Sequence, residues 1–349
     1  MNGEIRVLDR YTVFIGADII NQLPKLVNLK KYSGAFLITD ETIWRNWLEK
    51  IDKILPKEYQ KIILPAGEQS KNVEYVQKVW HKMFLAGCDR RTLVINLGGG
   101  VIGDLGGFAA ATYMRGVDFL QIPTTLLAQV DSSVGGKVGI NLLGIKNLIG
   151  TFQQPIAVII DISTLSTLPH RELVSGFAEI IKHSLIADKK YFQIVTSKKP
   201  EEFSQEELIE IITRSVQIKA DIVSQDEKES GLRKLLNFGH TIGHAVEAIS
   251  QEDDKPLLHG EAISIGMVVE GKISKILGLL SDEGCKILEQ SLIKAGLPTA
   301  LNLPVDDILE KIKFDKKNIK GATKFTLLQN IGKAIINKSV DESIIRKAL

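Results

Sequence analysis

Histidines and carboxylates cluster in the second half of the chain in the combination that metal sites use. Four of the six histidines lie between residues 183 and 259, and the four-residue spacing of His240 and His244 places both on one face of a predicted helix. The other candidate ligands are Glu179, His183, His259 and Glu261. A catalytic zinc takes three protein ligands and keeps a fourth position open for substrate. The spacing leaves open which three residues ligate, and any one histidine taken singly could be an ordinary core or surface residue.

A glycine cluster in the first half of the chain has the spacing of a dinucleotide-binding turn. The apolar run 92–97 leads into Gly98-Gly99-Gly100-Val101-Ile102-Gly103-Asp104. Glycines 98, 100 and 103 allow a tight turn, a close approach to a pyrophosphate and close helix–strand packing, and the following helix offers its N–H groups to phosphate. An acidic ribose ligand is expected about 20 residues later. Here the candidate is Asp40, after an earlier predicted strand, although it could instead cap the helix that begins at Glu41.

Small residues, a carboxylate and two lysines follow in a stretch that could bind a phosphorylated substrate. The sequence is Asp131-Ser132-Ser133-Val134-Gly135-Gly136-Lys137 and then Lys146-Asn147. Small residues let a ligand approach the backbone, and lysines bind phosphate as point charges. Three more basic residues lie on predicted helices: Lys182, Lys219 and Arg233. For Lys219 and Arg233 taken singly, a solvated helix face is the simpler interpretation.

The elements that must position these residues change in character near residue 160. Before it, short β-branched runs alternate with amphipathic stretches, which is typical of βαβ units and a mostly parallel sheet. The predicted strands are 34–39, 61–64, 92–97, 119–122 and 156–161, with 12–16 as an edge strand, and the predicted helices are 41–54, 72–86 and 101–113. After it, helical periodicity dominates over 170–187, 206–226, 232–249, 260–277 and 282–295, before a hairpin of 324–328 and 333–337. We therefore predict an α/β domain over 1–160 and a mainly α-helical domain over 161–349.

The composition excludes several classes of protein. The 349 residues carry 44 Lys and Arg against 42 Asp and Glu, a net charge of +2, which does not suit a strongly basic nucleic-acid-binding protein. The two cysteines, Cys88 and Cys285, form no disulfide framework and fit a reducing compartment. The most apolar region, 93–114, is interrupted by Asn96 and Asp104 and lacks the ~20 apolar residues of a membrane span. With no apolar signal core at the N-terminus, we expect a cytoplasmic protein that binds neither nucleic acid nor membrane.

Taken together, the motifs resemble the 3-dehydroquinate synthase family. The matching segments occur in order along nearly the whole chain: 98–104, 123–125, 131–137, 146–150, 176–183, 236–244, 259–261 and 315–317. The resemblance implies a Rossmann-like N-terminal domain, a helical C-terminal domain, NAD, zinc or cobalt, and a homodimer. It also implies a lyase of the shikimate route to aromatic amino acids, which converts 3-deoxy-D-arabino-heptulosonate 7-phosphate into 3-dehydroquinate and phosphate.

The resemblance also implies a role for individual residues. The metal ligands would be Glu179, His240 and His259, so that His244 would lie beside the substrate phosphate instead. The NAD-binding residues would be Asp40, Ala66, Gly67, Glu68, Gln69, Ser70, Lys71, Gly100, Val101, Ile102, Gly103, Asp104, Thr124, Thr125, Lys137, Lys146, Thr164, Leu165, Ser166 and Thr167. The substrate-binding and catalytic residues would be Asp131, Lys137, Lys146, Asn147, Lys182, Lys219, Arg233, Asn237, His244 and, across a dimer interface, Arg115, with either Lys316 or Lys317 on the phosphate. Ala66 departs from the polar residue that is frequent in the family, and backbone contacts should tolerate this change.

The implied reaction is redox-neutral. Oxidation of an alcohol by NAD acidifies the neighbouring C–H and permits phosphate elimination; the hydride then returns, and the ring opens and recloses by an aldol step. Asp131 and Lys182 would handle nearby protons, and Lys219 with Arg233 would bind the substrate carboxylate. Sister cyclases such as 2-deoxy-scyllo-inosose synthase act on sugar phosphates that have no carboxylate. A metal-dependent polyol dehydrogenase and a catalytically silent NAD-binding module are two further functions that the same motifs could serve.

Overall fold

The computed structural model describes residues 3–251, 253–314 and 323–349. The chain divides into two compact units. Unit 1 comprises Met1–Pro169 and Gln205–Ala220, and unit 2 comprises His170–Ser204 and Asp221–Leu349. The candidate phosphate ligands Lys316 and Lys317 lie outside the described residues.

A seven-stranded sheet forms the centre of unit 1. Its strands are β1 (Gly3–Val7), β2 (Tyr11–Gly16), β3 (Gly34–Asp40), β4 (Gln60–Leu64), β5 (Thr92–Gly98), β6 (Phe119–Pro123) and β9 (Ala157–Asp161), and a separate hairpin is formed by β7 (Lys137–Leu142) and β8 (Ile145–Phe152). The strand order is β1-β2-β9-β6-β5-β3-β4, with all neighbours parallel except β1 and β2. The predicted strand at 12–16 is therefore present, but its placement at the edge is wrong, because β1 covers it.

Helices cover both faces of this sheet. They are α1 (Leu23–Leu26), α2 (Glu41–Ile54), α3 (Val73–Leu85) and α4 (Gly100–Thr112), while α7 (Gln205–Gln225) continues from unit 1 into unit 2. Because successive strand residues point to opposite faces, Phe36 and Ile38 pack in one core with α3 and α4, and Leu37 packs in a second core with α2. This arrangement confirms the predicted α/β class and its Rossmann-like parallel sheet.

The strand order places a crevice beside the glycine cluster. The chain passes from β3 outward to β4 and then returns to the other side of β3 as β5. The connections after β3 and β5 therefore lead away in opposite directions, and ligands of open α/β sheets bind at the carboxyl ends of such strands. Asp40 ends β3 and Gly98 ends β5, so both lie at this switch point.

Unit 2 is mainly helical. Its elements are α5 (His170–Ala187), α6 (Lys189–Val195), α8 (His240–Ser250), α9 (His259–Ile276), α10 (Asp282–Lys294), α11 (Val305–Phe314), β10 (Thr323–Asn330), β11 (Lys333–Val340) and α12 (Glu342–Ala348). The core between α8, α9 and the β10–β11 hairpin includes Ile242, Val246 and Phe325. The predicted hairpin is present. No helix among the described residues has both the length and the apolar character that crossing a bilayer requires.

The predicted continuous helix over 232–249 is wrong. A 3₁₀ turn covers Leu232–Asn237, Gly239 adopts a left-handed conformation with φ of 80°, and α8 begins at His240. Glu270 of α9 accepts hydrogen bonds from the backbone N–H groups of Gly239 and Thr241, at 2.7 and 3.0 Å. The break therefore places His240 in the first turn of α8, where a buried carboxylate from α9 holds the backbone.

Candidate active site

Three candidate metal ligands converge in unit 2 from three different helices. Glu179 comes from the middle of α5, His240 begins α8 and His259 begins α9. One ligand atom of each residue lies within 4.8 Å of those of the others. Glu179 Oε1 is 3.9 Å from His240 Nε2 and 3.8 Å from His259 Nε2. Two imidazoles and one carboxylate form a donor set that suits zinc or cobalt.

The hydrogen bonds around this cluster fit a metal ion. Glu179 is fully buried, and its Oε1 accepts no hydrogen bond from the described residues. His240 Nδ1 lies 3.1 Å from the Phe238 carbonyl oxygen, and His259 Nδ1 lies 3.1 Å from Glu247 Oε2. When Nδ1 donates to such an acceptor, the neutral ring keeps its lone pair on Nε2. Both Nε2 atoms face Glu179, so the donors are arranged for one ion.

Electrostatics keep His240 neutral. Burial lowers the pKa of His240 well below its usual value, and the nearby Lys182, His244 and His259 lower it further. A neutral imidazole is the form that ligates a metal. We therefore infer that the ring needs no deprotonation before an ion binds.

Other candidate residues of unit 2 surround the cluster. Lys182, almost fully buried, forms an ion pair with Glu179 one helical turn away. His244 is exposed, and its ring centroid is 5.0 Å from that of His240. A second group of possible ligands, His244, Glu247 and His259, overlaps the first. Glu247 contacts Nδ1 of His259, whereas the first group uses Nε2 of the same histidine. We therefore interpret Glu247 as the hydrogen-bond acceptor that orients the His259 ring.

Arg233 and Asn237 lie on the 3₁₀ turn that precedes α8. Arg233 is buried, its Nη1 donates to the Glu227 carbonyl at 2.6 Å, and its backbone N–H donates to Asp226. Partial burial raises the pKa of Asp226, but backbone hydrogen bonds from Arg233, Gly231 and Ser230 outweigh it and lower the value to about 2. This charged carboxylate therefore fixes the loop that carries the guanidinium.

In unit 1 the candidate NAD-binding residues follow the carboxyl ends of five parallel strands. Asp40 ends β3, and the other segments are 66–71 after β4, 100–104 after β5, 124–125 after β6 and 164–167 after β9. Asp40 also caps α2, accepting from the N–H groups of Thr42 and Ile43 at 2.9 and 3.0 Å. Burial raises its pKa, which these two bonds oppose. The capping interpretation of Asp40 is thus confirmed, whatever further ligand it binds.

Several features of this edge fit a nucleotide. The hydroxyls of Thr39 and Thr124 are buried and have no hydrogen-bond partner among the described residues. Gly100 begins α4, where a Cβ would lie 3.2 Å from the Ser132 hydroxyl, and the N–H groups of that first turn suit a phosphate. Nearby, Lys71 Nζ lies 2.5 Å from Asp104 Oδ2. Burial raises the pKa of Asp104, and Lys71 opposes this.

Asp131, which is partly exposed, and the buried Lys219 form an ion pair within unit 1. Asp131 lies in a π-helical turn, Ala128–Ser132, in which the Ser133 N–H donates to the Ala128 carbonyl five residues earlier at 3.1 Å. Such turns change the direction of side chains and are frequent at functional sites. Lys219 of α7 contacts both the carboxylate and the backbone carbonyl of Asp131. The carboxylate is therefore paired with a cation before any substrate binds.

The remaining candidate phosphate ligands are exposed residues of the β7–β8 hairpin and an arginine in a segment with left-handed backbone. Lys137 begins β7, and Lys146 and Asn147 lie in β8. Arg115 belongs to three consecutive residues with positive φ, Met114 at 49°, Arg115 at 72° and Gly116 at 116°. Left-handed conformations are costly for side chains other than glycine and concentrate at functional sites. The segment therefore holds Arg115 in an orientation that ordinary turns do not provide.

Three residues of the site are absent from the sequence-based prediction. Glu247 could have been found, since it continues the helix face of His240 and His244 at a spacing of three residues. Thr39 precedes Asp40 in a strand whose apolar residues predict a buried core position, so its sequence gives no sign of a ligand-binding role. Asn141 contacts both Glu68 and Asn147, and nothing in its spacing indicates this.

The sequence is similar to one named family along most of its length. The family model described as 3-dehydroquinate synthase N-terminal matches residues 61–175, and the one described as 3-dehydroquinate synthase C-terminal matches residues 176–318. A 3-dehydroquinate synthase of Thermoanaerobacter pseudethanolicus is 44% identical, covering 96% of each chain. Another, of Ruminiclostridium cellulolyticum, is 41% identical over 97% of this chain and 95% of the relative.

The fold is similar to those of several solved structures, two of which are synthases in complex with NAD⁺ and a divalent metal ion. A 2-deoxy-scyllo-inosose synthase with carbaglucose-6-phosphate, NAD⁺ and Co²⁺ has a TM-score of 0.89 at 26% identity, covering 99% of this chain and 98% of that one. ValA, a 2-epi-5-epi-valiolone synthase of Streptomyces hygroscopicus with NAD⁺ and Zn²⁺, has a TM-score of 0.86 at 26% identity, covering 97% and 95%. A probable glycerol dehydrogenase of Sinorhizobium meliloti, at 15% identity and a TM-score of 0.63 over 96% and 94%, shares the fold alone.

Proposed function

Since the chain belongs to the 3-dehydroquinate synthase family, we propose that it carries out the family's reaction with the residues described above. It is a phosphate-eliminating lyase that converts 3-deoxy-D-arabino-heptulosonate 7-phosphate into 3-dehydroquinate. The observation that carries the assignment is the donor set of Glu179, His240 and His259, with both Nδ1 atoms engaged elsewhere, in a chain that is 44% identical to a 3-dehydroquinate synthase.

The protein uses NAD and a divalent metal, zinc or cobalt. When bound, NAD supplies reversible hydride transfer and the metal supplies Lewis acidity at the reacting oxygen. We assign the metal to Glu179, His240 and His259. We assign NAD to the carboxyl edge of the sheet, through Asp40, 66–71, 100–104, Thr124, Thr125 and 164–167. Buried, unpartnered hydroxyls and the glycine turn of α4 support this placement.

The chain's own residues bind the substrate and position its protons. Lys137, Lys146, Asn147, Asn237 and His244 surround the phosphate, as does Arg115 from a second subunit. Asp131 and Lys182 contact the ring hydroxyls, where a carboxylate and a buried ammonium can accept and donate protons. Lys219 and Arg233 bind the carboxylate, a group that the sugar phosphates of the sister cyclases do not have. We place most of the NAD contacts in the domain 1–160, the metal and most of the substrate in 161–349, and the protein in the cytoplasm.

A coupled assay tests the reaction. The zinc-loaded protein is incubated with 3-deoxy-D-arabino-heptulosonate 7-phosphate and catalytic NAD, while phosphate release and NADH absorbance are followed together. We expect phosphate in proportion to substrate consumed, with no accumulation of NADH. Phosphate from a neutral sugar phosphate but not from this acid would assign the chain to a sister cyclase. NADH that accumulates from a simple polyol would identify a dehydrogenase.

A second copy of this chain is the proposed partner of the β7–β8 hairpin. Leu143 at its turn is 86% exposed, Ile145 is 51%, and Ile149 and Phe152 are about 40% exposed. Leu143 also has a φ of 54°, a position where asparagine and glycine are favoured over leucine. A large apolar side chain at a strained, exposed position is unfavourable unless another surface covers it. Edge strands of this kind pair readily across subunits, so we propose a homodimer that buries this surface.

Leu143→Asn should separate dimer stability from folding stability. We expect the dissociation constant of the dimer to rise by at least about tenfold, because each subunit loses one buried leucine, while the monomer keeps or gains thermal stability. Size-exclusion chromatography with light scattering across a dilution series measures the first, and calorimetry the second. Ile194→Asn, at an isoleucine of α6 that is 56% exposed, is the matched control. An unchanged dimer in Leu143→Asn would exclude this surface.

A further inference from the structure

We propose that Asn141 is a positioning residue that holds Lys146 and Asn147 in place for the substrate phosphate. The inference rests on the proposed function, because Lys146 and Asn147 receive their roles there. Asn141 itself has no assigned role, and it lies on β7, across the hairpin from both residues.

Asn141 makes hydrogen bonds to three residues in two segments of unit 1. Its backbone N–H donates to the Lys71 carbonyl at 2.8 Å, and its side-chain Nδ2 donates to Glu68 Oε1 at 2.8 Å. Its Oδ1 accepts the backbone N–H of Asn147 at 2.9 Å. The side-chain amide thus bridges the loop after β4 to the outer strand of the hairpin.

The chemistry of the two partners fixes the orientation of this amide. Glu68 offers a carboxylate, which only accepts, and the Asn147 backbone offers an N–H, which only donates. A side chain that donates on one end and accepts on the other is therefore required. Asparagine meets this requirement, whereas aspartate would place a second carboxylate against Glu68.

A β-bulge explains why the hairpin needs such a clamp. Ile140 pairs with Ile149 and Leu142 pairs with Ile145, so Asn141 alone faces the three residues 146–148 of β8. The extra residues leave the regular ladder, and Asn147 adopts a left-handed φ of 53°. Bulges redirect side chains near active sites, at the cost of ladder hydrogen bonds. Asn141 supplies the bond that the Asn147 N–H would otherwise lack in this conformation.

The clamp also joins two groups of residues with different proposed ligands. Glu68 and Lys71 belong to the proposed NAD-binding loop, whereas Asn147 belongs to the phosphate-binding set. Because one amide contacts both segments, the position of the bulge depends on the position of that loop. We infer that Asn141 places the phosphate ligands relative to the nucleotide, a distance that hydride transfer and phosphate elimination on one substrate both require.

Asn141→Asp tests the inference, because it keeps the shape and the acceptor but removes the donor. In the NAD- and zinc-loaded enzyme we expect at least a tenfold rise in the substrate KM and in the inhibition constant of inorganic phosphate, with a smaller change in kcat. The double variant Glu68→Gln, Asn141→Asp reverses donor and acceptor across the pair and should recover most of this loss relative to Asn141→Asp. Such recovery is the coupling that a double-mutant cycle measures.

Two controls make the outcomes distinct. The first is Asn337→Asp, at an asparagine of the β10–β11 hairpin that also has a left-handed backbone. This variant should alter thermal stability at most and leave the substrate KM and the phosphate inhibition constant unchanged. Lys146→Ala should raise both constants in its own right. If Lys146→Ala raises them and Asn141→Asp does not, the positioning role is refuted alone. If neither variant raises them, the proposed phosphate site itself is wrong. A double variant no better than Asn141→Asp would also contradict the clamp.

Discussion

Replacing His240 by alanine should release the metal and reduce turnover by at least about 10³-fold, equivalent to a Lewis-acid contribution of ~4 kcal/mol. The reason is geometric. Glu179 Oε1 faces the Nε2 atoms of His240 and His259 at 3.9 and 3.8 Å, and two remaining ligands hold a divalent ion far more weakly than three. Metal content by atomic emission and the visible absorbance of the Co²⁺-loaded protein report the loss independently of activity.

A graded series separates ligation from orientation. Glu247→Gln keeps a hydrogen-bond acceptor for His259 Nδ1 but removes the charge, and we expect metal affinity to fall by roughly 10- to 100-fold, with an altered Co²⁺ spectrum. His81→Ala, at an exposed histidine of α3, should leave metal content and turnover unchanged. If Glu247→Gln lost its metal while His240→Ala retained it, Glu247 would be a ligand and the overlapping group of His244, Glu247 and His259 would be the site. Full activity in His240→Ala would exclude the group of Glu179, His240 and His259.

The first half of the fold can be predicted from the sequence because its strands are short, β-branched and regularly separated by amphipathic helices. The predicted ends of β3, β5 and β9 lie within a residue or two of the observed ones. The β7–β8 hairpin is not predicted, since its glycines and polar residues suggest a ligand-binding loop, and all but one residue of β8 are exposed. A strand without a buried face has no alternation to detect.

The second half shows where periodicity misleads. Residues 232–249 keep a helical pattern of apolar side chains across Gly239, but the backbone breaks there. A Cβ at Gly266 of α9 would lie 1.9 Å from the Gly239 carbonyl oxygen, so the close packing of α8 on α9 requires glycine at both positions. Only the tertiary structure shows that contact. The break is also what places His240 at the start of its helix.

The candidate site is predictable in its residue types and not in its contacts. The spacing leaves open which three residues ligate, and only the family resemblance selects Glu179, His240 and His259, which the structure brings within 4.8 Å. Glu247 and the Phe238 carbonyl orient the two rings through contacts between α8, α9 and the preceding turn. Such contacts depend on packing between elements, which a single sequence does not encode locally.

Lys137→Ala should impair phosphate elimination while sparing NAD binding. Lys137 is the exposed first residue of β7, and it follows two glycines with positive φ. Because these glycines have no side chains, a ligand can approach the Lys137 ammonium across their backbone. As phosphate leaves, negative charge develops on its oxygens, and loss of one cation there should lower kcat/KM by about 10²- to 10³-fold. Phosphate release under single-turnover conditions measures this directly.

The affinity for NAD supplies the second half of that test. Trp47 Nε1 donates to Thr167 Oγ1 at 3.2 Å, so tryptophan fluorescence should report NAD binding at the proposed loop. We expect the dissociation constant of NAD to stay within about twofold in Lys137→Ala, since one point charge at the far phosphate adds little to the pyrophosphate contacts of α4. Lys53→Ala, at an exposed lysine of α2, is the matched control.

Two results would contradict the role given to Lys137. Equal losses of NAD affinity and of phosphate release would place Lys137 on the nucleotide instead of the substrate. Unchanged phosphate release would mean that Lys146, Asn147 and Arg115 stabilise the charge of the leaving phosphate without Lys137. Asn147 and Arg115 are both held in left-handed backbone, with φ of 53° and 72°, and such strain persists only where the surrounding structure maintains it, as it does at ligand-binding sites.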